Sequence, residues 1–166
     1  MSPHQQLIET FYTAFQARDH AAMARCYHRD IIFGDPVFPE LQGWKACAMW
    51  RMLCERGKDL KLEFSEVSAE DQGGRARWEA RYTFSQSGLP VHNIIQAKFQ
   101  FRDGLISEHR DQFDLKRWMG MALGLKGRVL GTFEFGRAAV RKKAAAGLET
   151  YIAKNQFTAE HFFPGH

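Results

Sequence analysis

Three cysteines in 166 residues, none in a CxxC pair, leave neither a disulfide framework nor a thiolate metal site to be built. Cys47 and Cys54 stand one heptad apart and share a helix face, and all three thiols are expected reduced and buried. The seven histidines are scattered, with no HxH or HExxH spacing. His109 and Asp111 offer two ligands at i and i+2 but no third, so no metal is expected. Glycine-rich phosphate loops are missing, and no cofactor is expected. No apolar run approaches the roughly 20 residues of a membrane span, and residues 1–10 are too polar for a signal peptide. The expectation is a soluble cytoplasmic protein without a transmembrane segment. Charge of one sign is also in short supply, at +4 net. Lys and Arg are spread along the chain apart from Arg137, Arg141, Lys142 and Lys143, which fit a solvated helix face, so no nucleic-acid partner is expected.

What the chain does have is aromatic bulk: 14 Phe and 4 Trp, enough for one core with an apolar cavity inside it. Leu7, Ile8, Phe11, Tyr12 and Phe15 recur at helical spacing behind Pro3, whose missing N–H does little harm in a first turn. Asp19 is placed to cap a second short helix that buries Met23, Cys26 and Tyr27. Ile31-Ile32-Phe33 reads as a short strand stopped by Gly34-Asp35-Pro36, and Pro36 keeps Asp35 off helical geometry. A third helix runs from Gly43 to about Arg56, with Trp44, Cys47 and Trp50 on its apolar side and Gly57 as its stop. From Leu60 the apolar period changes from 3.6 to 2, and turns fall at 71–74, 88–90 and 102–104. Three helices followed by hairpin-linked strands predict an α+β fold with one antiparallel sheet.

The alternation also predicts which side chains share a face. Trp78, Ala80, Tyr82 and Phe84 lie opposite Arg77, Glu79, Arg81 and Thr83, and Asn93, Ile95, Ala97, Phe99 and Phe101 form the inner row of the next strand. With Phe113 inward, Asp111 and His109 point inward too, while Glu108, Arg110 and Gln112 point out. A carboxylate in an apolar pocket has its charged form destabilised, which raises its pKa toward the range useful for proton transfer. Two carboxylates in one pocket push their pKa values apart, one acting as acid and one as base.

Three segments taken in order, Phe11-Tyr12-Thr13-Ala14-Phe15, Ile32-Phe33-Gly34-Asp35-Pro36 and the stretch 102–114 around His109-Arg110-Asp111, resemble the nuclear transport factor 2-like superfamily over residues 5–115. More narrowly they are similar to its SnoaL-like branch, beside the ketosteroid isomerases and limonene epoxide hydrolases. The resemblance implies a cone-shaped curved sheet packed with N-terminal helices, a pocket for a small hydrophobic molecule, and a homodimer through the outer sheet face. Asp35-Pro36 matches the Asp-Pro turn of the ketosteroid isomerases, whose oxyanion-holding Tyr and Asp fall here on Phe11 (beside Tyr12) and Ala97. Asp111 matches the water-activating Asp of the epoxide hydrolases, whose remaining machinery falls near Trp78, Ala80, Phe33 and Asp35. The SnoaL-like cyclases, which rely on an Asp near the last strand, fit best.

The candidate catalytic set is therefore Asp111 as base, Asp35 as second acid/base and His109 as assistant. Tyr12, Phe15, Phe33, Trp50 and Trp78 are expected to contact the ligand. So are Tyr82, Asn93, Ala97, Phe99 and Phe113. Two functions compete: a cofactor-free isomerase, cyclase or epoxide hydrolase-like enzyme, and a non-catalytic binding or dimerisation module of the same fold. Residues 1–115 are read as the SnoaL-like domain and 116–166 as a helical extension packed on it, with a short piece around Trp118 and Leu125, a helix over 135–154 and a loose end from Thr158. The extension either lids the pocket or extends a dimer contact, and its basic helix also suits a membrane surface. Its apolar cluster of Trp118, Met121, Leu125, Val129, Leu130, Phe133 and Phe135 is too large to leave in water.

Overall fold

The computed structural model describes residues 1–165. Helix α1 (Pro3–Gln16) begins where the Ser2 hydroxyl accepts the Gln5 N–H, with Pro3 in the first turn. Asp19 caps α2 (His20–Arg25) by accepting the Ala22 N–H. Tyr27 then opens a strand, β1 (Tyr27–Gly34), instead of closing the helix, and β1 is longer than the Ile-Ile-Phe run suggested. The reason is tertiary: β1 is held by a partner strand some 80 residues further on, which no local pattern announces. A two-residue β2 (Leu41–Gln42) follows, then α3 (Trp44–Arg56), β3 (Lys61–Ala69), β4 (Gly74–Thr83), β5 (Pro90–Arg102) and β6 (Leu105–Gln112).

The six strands form one sheet in the order β2-β1-β6-β5-β4-β3. Every pairing is antiparallel except β1 with β6, which is parallel. That exception arises because the chain passes through β2, α3 and three strands before β6 returns beside β1. Register shifts in β3, around Glu66, and between β5 and β6 bend the sheet. The second shift also turns Ile106 inward, although strict alternation from His109 would leave it outside. Ile8, Phe11, Tyr12 and Phe15 of α1 and Ala46, Cys47 and Trp50 of α3 fill the concave face. Each large apolar side chain removed from water there contributes about 1.5–3 kcal/mol.

Asp114 caps α4 (Leu115–Leu130), and α5 (Glu134–Asn155) and α6 (Ala159–Phe162) complete the chain. Leu148 and Ile152 of α5, with Phe157, join the same core as the sheet and α1. The segment from Thr158 is not loose, in contrast to its sequence pattern: Thr158 and His161 form a reciprocal cap, and the Phe162 ring stacks on Trp44 at 6.0 Å. Trp44, more than 100 residues away, supplies the surface that orders it; His166 lies outside the described residues. Gly124 interrupts α4 with φ 72° and ψ −152°, a conformation that glycine alone adopts readily. Beyond this break the expected apolar cluster divides. Trp118 is buried, but Leu125, Val129, Phe133 and Phe135 stay exposed, because the chain is redirected away from the core. Among the described residues no helix is long and apolar enough to cross a membrane.

Candidate active site

Asp111 lies on β6 with its side chain on the concave face, as strand parity requires, and only 5% of the residue is exposed. Its Oδ1 accepts the Trp78 indole N–H at 3.3 Å and pairs with His109 Nε2 at 3.0 Å. No arginine touches it; Arg110, next in sequence, points to the outer face toward Glu40 and Glu108. His109 is 0% exposed, caged by the rings of Phe11, Phe33, Trp50 and Phe99. Its other nitrogen, Nδ1, lies 2.7 Å from the Tyr27 hydroxyl, which accepts the Trp50 indole N–H at 2.9 Å.

This chain of five side chains determines where the protons sit. Indole N–H groups only donate, so Trp50 occupies the Tyr27 oxygen as a donor. The Tyr27 hydroxyl proton then has Nδ1 of His109 as its acceptor, which leaves the imidazole proton on Nε2. From there it is donated to the Asp111 carboxylate. Read this way, every polar atom from the Trp50 N–H to Asp111 Oδ1 is satisfied. A proton on Nδ1 would instead aim a second N–H at the Tyr27 oxygen and leave the phenol proton without an acceptor. Burial holds the Tyr27 phenol well above the ordinary tyrosine range, and the Asp111 charge adds to that, so Tyr27 stays a neutral donor.

Asp35 approaches the same space from the turn after β1. Its Oδ1 accepts the Val37 and Phe38 N–H groups at 2.7 and 2.6 Å, a local turn that Pro36 enforces from the sequence. Burial pushes the carboxyl up to about 7; the Phe38 N–H pulls it back, the Asp111 charge raises it, and the Val37 N–H lowers it.

Both carboxylates line one cavity of about 280 Å³, apolar over most of its wall. Among the expected contacts, Phe15, Trp50, Trp78, Tyr82, Asn93 and Phe113 line it. Asn93 is the useful polar member, since its side-chain amide lines the cavity and is bonded to no protein group. Tyr12, Phe33, Ala97 and Phe99 do not reach the cavity wall. They lie at the end of the sheet that α1 and α3 fill, where Ala97 sits across from Asp111 and Phe33 and Phe99 pack on His109. His109 is likewise behind the wall, meeting it through its bond to Asp111 and its packing on Trp50.

Sequence reasoning missed Tyr27 as a member of the hydrogen-bonded chain, and no local signal could have supplied it, because Tyr27 and His109 are 82 residues apart. It also missed Val37 and Phe38, which follow Asp35, and most of the roof. Trp118 and Leu123 of α4 and Val140, Lys143, Ala144 and Gly147 of α5 close one side of the cavity. Among the described residues no group of three or more His, Cys, Asp or Glu could hold a metal ion.

The arrangement of the curved sheet and the helices on its concave face recurs in solved structures. A polyketide cyclase candidate from Xanthomonas campestris pv. campestris matches with a TM-score of 0.61 at 19% identity, covering 72% of this chain and 96% of that one. An LEH-like epoxide hydrolase of M. tuberculosis matches with a TM-score of 0.57 at 18% identity, over 78% and 92% of the two chains. TerC, co-crystallised with polyporic acid, matches with a TM-score of 0.62 at 17% identity, over 72% and 98%. Others that share the fold are described as an NTF2-like protein and a protein with a ketosteroid isomerase-like fold. The SnoaL-like domain model matches residues 8–109, and the chain belongs to that family. No curated protein matches the sequence.

Proposed function

We propose that this protein is a cofactor-independent acid/base enzyme acting on a small, flat, apolar carbonyl compound, with Asp111 as the base. The observation that carries this reading is the division of labour within the Asp111 carboxylate. Oδ1 is anchored by His109 and Trp78, while Oδ2 has no protein partner and faces an apolar cavity. An oriented carboxylate in such a space is poised to take a proton from a carbon next to a carbonyl. The C–H bond breaks, the O–H bond forms on Asp111, and the electron pair moves to the carbonyl oxygen. Asn93 donates to that oxygen. So does Asp35, which carries a proton in about half the molecules near pH 7, where it titrates. Return of the proton from Asp111 to a different carbon completes an isomerisation; in a cyclisation the enolate carbon instead bonds to a second carbonyl carbon of the same molecule, and the Asp111 proton passes to that carbonyl's oxygen. His109 acts through Asp111 and is a positioning residue.

Supporting this reading over a non-catalytic module, two carboxylates and a free amide converge on one cavity that no side chain fills. Similar folds described as a polyketide cyclase candidate and an epoxide hydrolase agree with it at the level of architecture. The test is a panel of apolar ketones, lactones and epoxides screened first by thermal stabilisation. A ligand present at 100 times its dissociation constant adds about 2.7 kcal/mol, roughly 5–10 °C for a chain of this size. Compounds that bind are then assayed for turnover and for solvent deuterium uptake. Asp111→Asn is expected to keep the thermal shift and lose turnover. Turnover at the wild-type rate in that variant would remove Asp111 from the mechanism, and the absence of any stabilising compound would favour a site with no small-molecule role.

A further inference from the structure

Among the described residues six large apolar side chains are exposed, and four of them fall within eleven consecutive positions: Leu125 at 77%, Val129 at 53%, Phe133 at 48% and Phe135 at 67%. They cap the end of the hairpin formed by α4 and α5. The Phe133 and Phe135 rings stack on each other at 5.3 Å and face outward. Solitary exposed apolar residues are ordinary, but a contiguous aliphatic and aromatic group on one protrusion marks a contact surface. The glycine break at 124 builds it.

Charge identifies what the surface meets. Residues 124–143 carry six Lys or Arg against one acid, Glu134, for five positive charges in a segment of a chain that nets only +4. Glu134 is already held by Arg137 and Arg141, while Lys126, Arg128, Lys142 and Lys143 have no ion-pair partner among the described residues. We propose that this hairpin tip docks on an anionic phospholipid bilayer. The Phe, Leu and Val side chains would enter the boundary between headgroups and acyl chains, and the flanking cations would pair with lipid phosphates and carboxylates. A second copy of the chain is a poor occupant, because a two-fold contact sets a patch against itself and would bring both cation sets face to face. The hairpin carrying the tip also roofs the cavity through Leu123, Val140 and Ala144, so a docked molecule holds its apolar pocket near the lipid phase.

The experiment is co-sedimentation of the full chain with vesicles of phosphatidylcholine alone and of phosphatidylcholine mixed with phosphatidylserine. The wild type is expected to sediment with the mixed vesicles, less so as salt rises, and not with the neutral ones. Lys126→Gln with Arg128→Gln should weaken partitioning about 30-fold, at roughly 1 kcal/mol per basic side chain near an anionic surface. Phe133→Ser with Phe135→Ser should weaken it by about tenfold or more per ring. Both double variants change exposed positions, and unaltered thermal unfolding confirms that they fold. Absence of sedimentation with either vesicle, or equal sedimentation with both, overturns the proposal. So does a light-scattering dimer that the Phe double variant dissolves, which would assign the patch to a second copy.

Discussion

Tyr12 and Tyr27 are both wholly buried, and replacing either with Phe deletes one hydroxyl from the interior, yet the two changes should move stability in opposite directions. The Tyr27 hydroxyl accepts the Trp50 N–H and donates to His109 Nδ1. Tyr27→Phe therefore strands two buried polar groups, each at about 1–3 kcal/mol, for a loss of roughly 2–6 kcal/mol. In a domain of this size that lowers Tm by roughly 4–24 °C. The Tyr12 hydroxyl has no hydrogen-bond partner and sits among Phe64, Trp78 and Phe99. Tyr12→Phe removes a hydroxyl buried without compensation and should stabilise the fold by about 1–3 kcal/mol. Urea unfolding of both variants at one pH measures the contrast directly. Imidazole nitrogen NMR adds a second readout, with the His109 proton expected on Nε2 in the wild type. Equal effects of the two substitutions, or a wild-type ring protonated on Nδ1, would refute the hydrogen-bond chain and with it the orientation of Asp111.

Asp35 predicts a slope in stability against pH. Its folded pKa is raised from 3.8 to about 7, so between those values the folded state binds more protons than the unfolded one. This group's stabilisation is thus complete below pH 4 and declines by up to about 1.4 kcal/mol per unit until pH 7, for a total on the order of 4 kcal/mol. Asp35→Asn should remove that component, which denaturant titrations at pH 5, 6, 7 and 8 would detect; an unchanged slope would mean the carboxyl is not buried in its neutral form. Leu148→Ala on α5 should cost about 2–5 kcal/mol in a single cooperative transition, because Leu148 is part of the same core as the sheet. A separate early transition would instead show the C-terminal helices unfolding on their own.

Much of this molecule can be read from local chemistry. Pro3 falls in the first turn of α1 and Asp19 caps α2, as their positions predict, and Asp103-Gly104 makes the tight turn between β5 and β6. Strand parity alone placed Asp111 and His109 on the inner face beside Phe113, because side-chain direction in a strand follows a period of two and needs no knowledge of partners. The N-terminal and middle segments also carried enough pattern to indicate the family. Parity, however, cannot distinguish cavity wall from core. That distinction separated Trp50, Trp78 and Asn93, which line the cavity, from Tyr12, Phe33, Ala97 and Phe99, which do not.

The remaining features depend on contacts between residues far apart in the chain. The parallel pairing of β1 with β6 brings Tyr27 to His109, and with it the proton arrangement that orients the carboxylate. The packing of α4 and α5 supplies the cavity roof, and one glycine's backbone angle exposes four apolar side chains that the sequence pattern would have buried. Periodicity and capping act within a few residues, where the backbone's own geometry dictates the outcome. Which faces meet, and which pair of distant polar atoms share a proton, is settled only when burial brings them together.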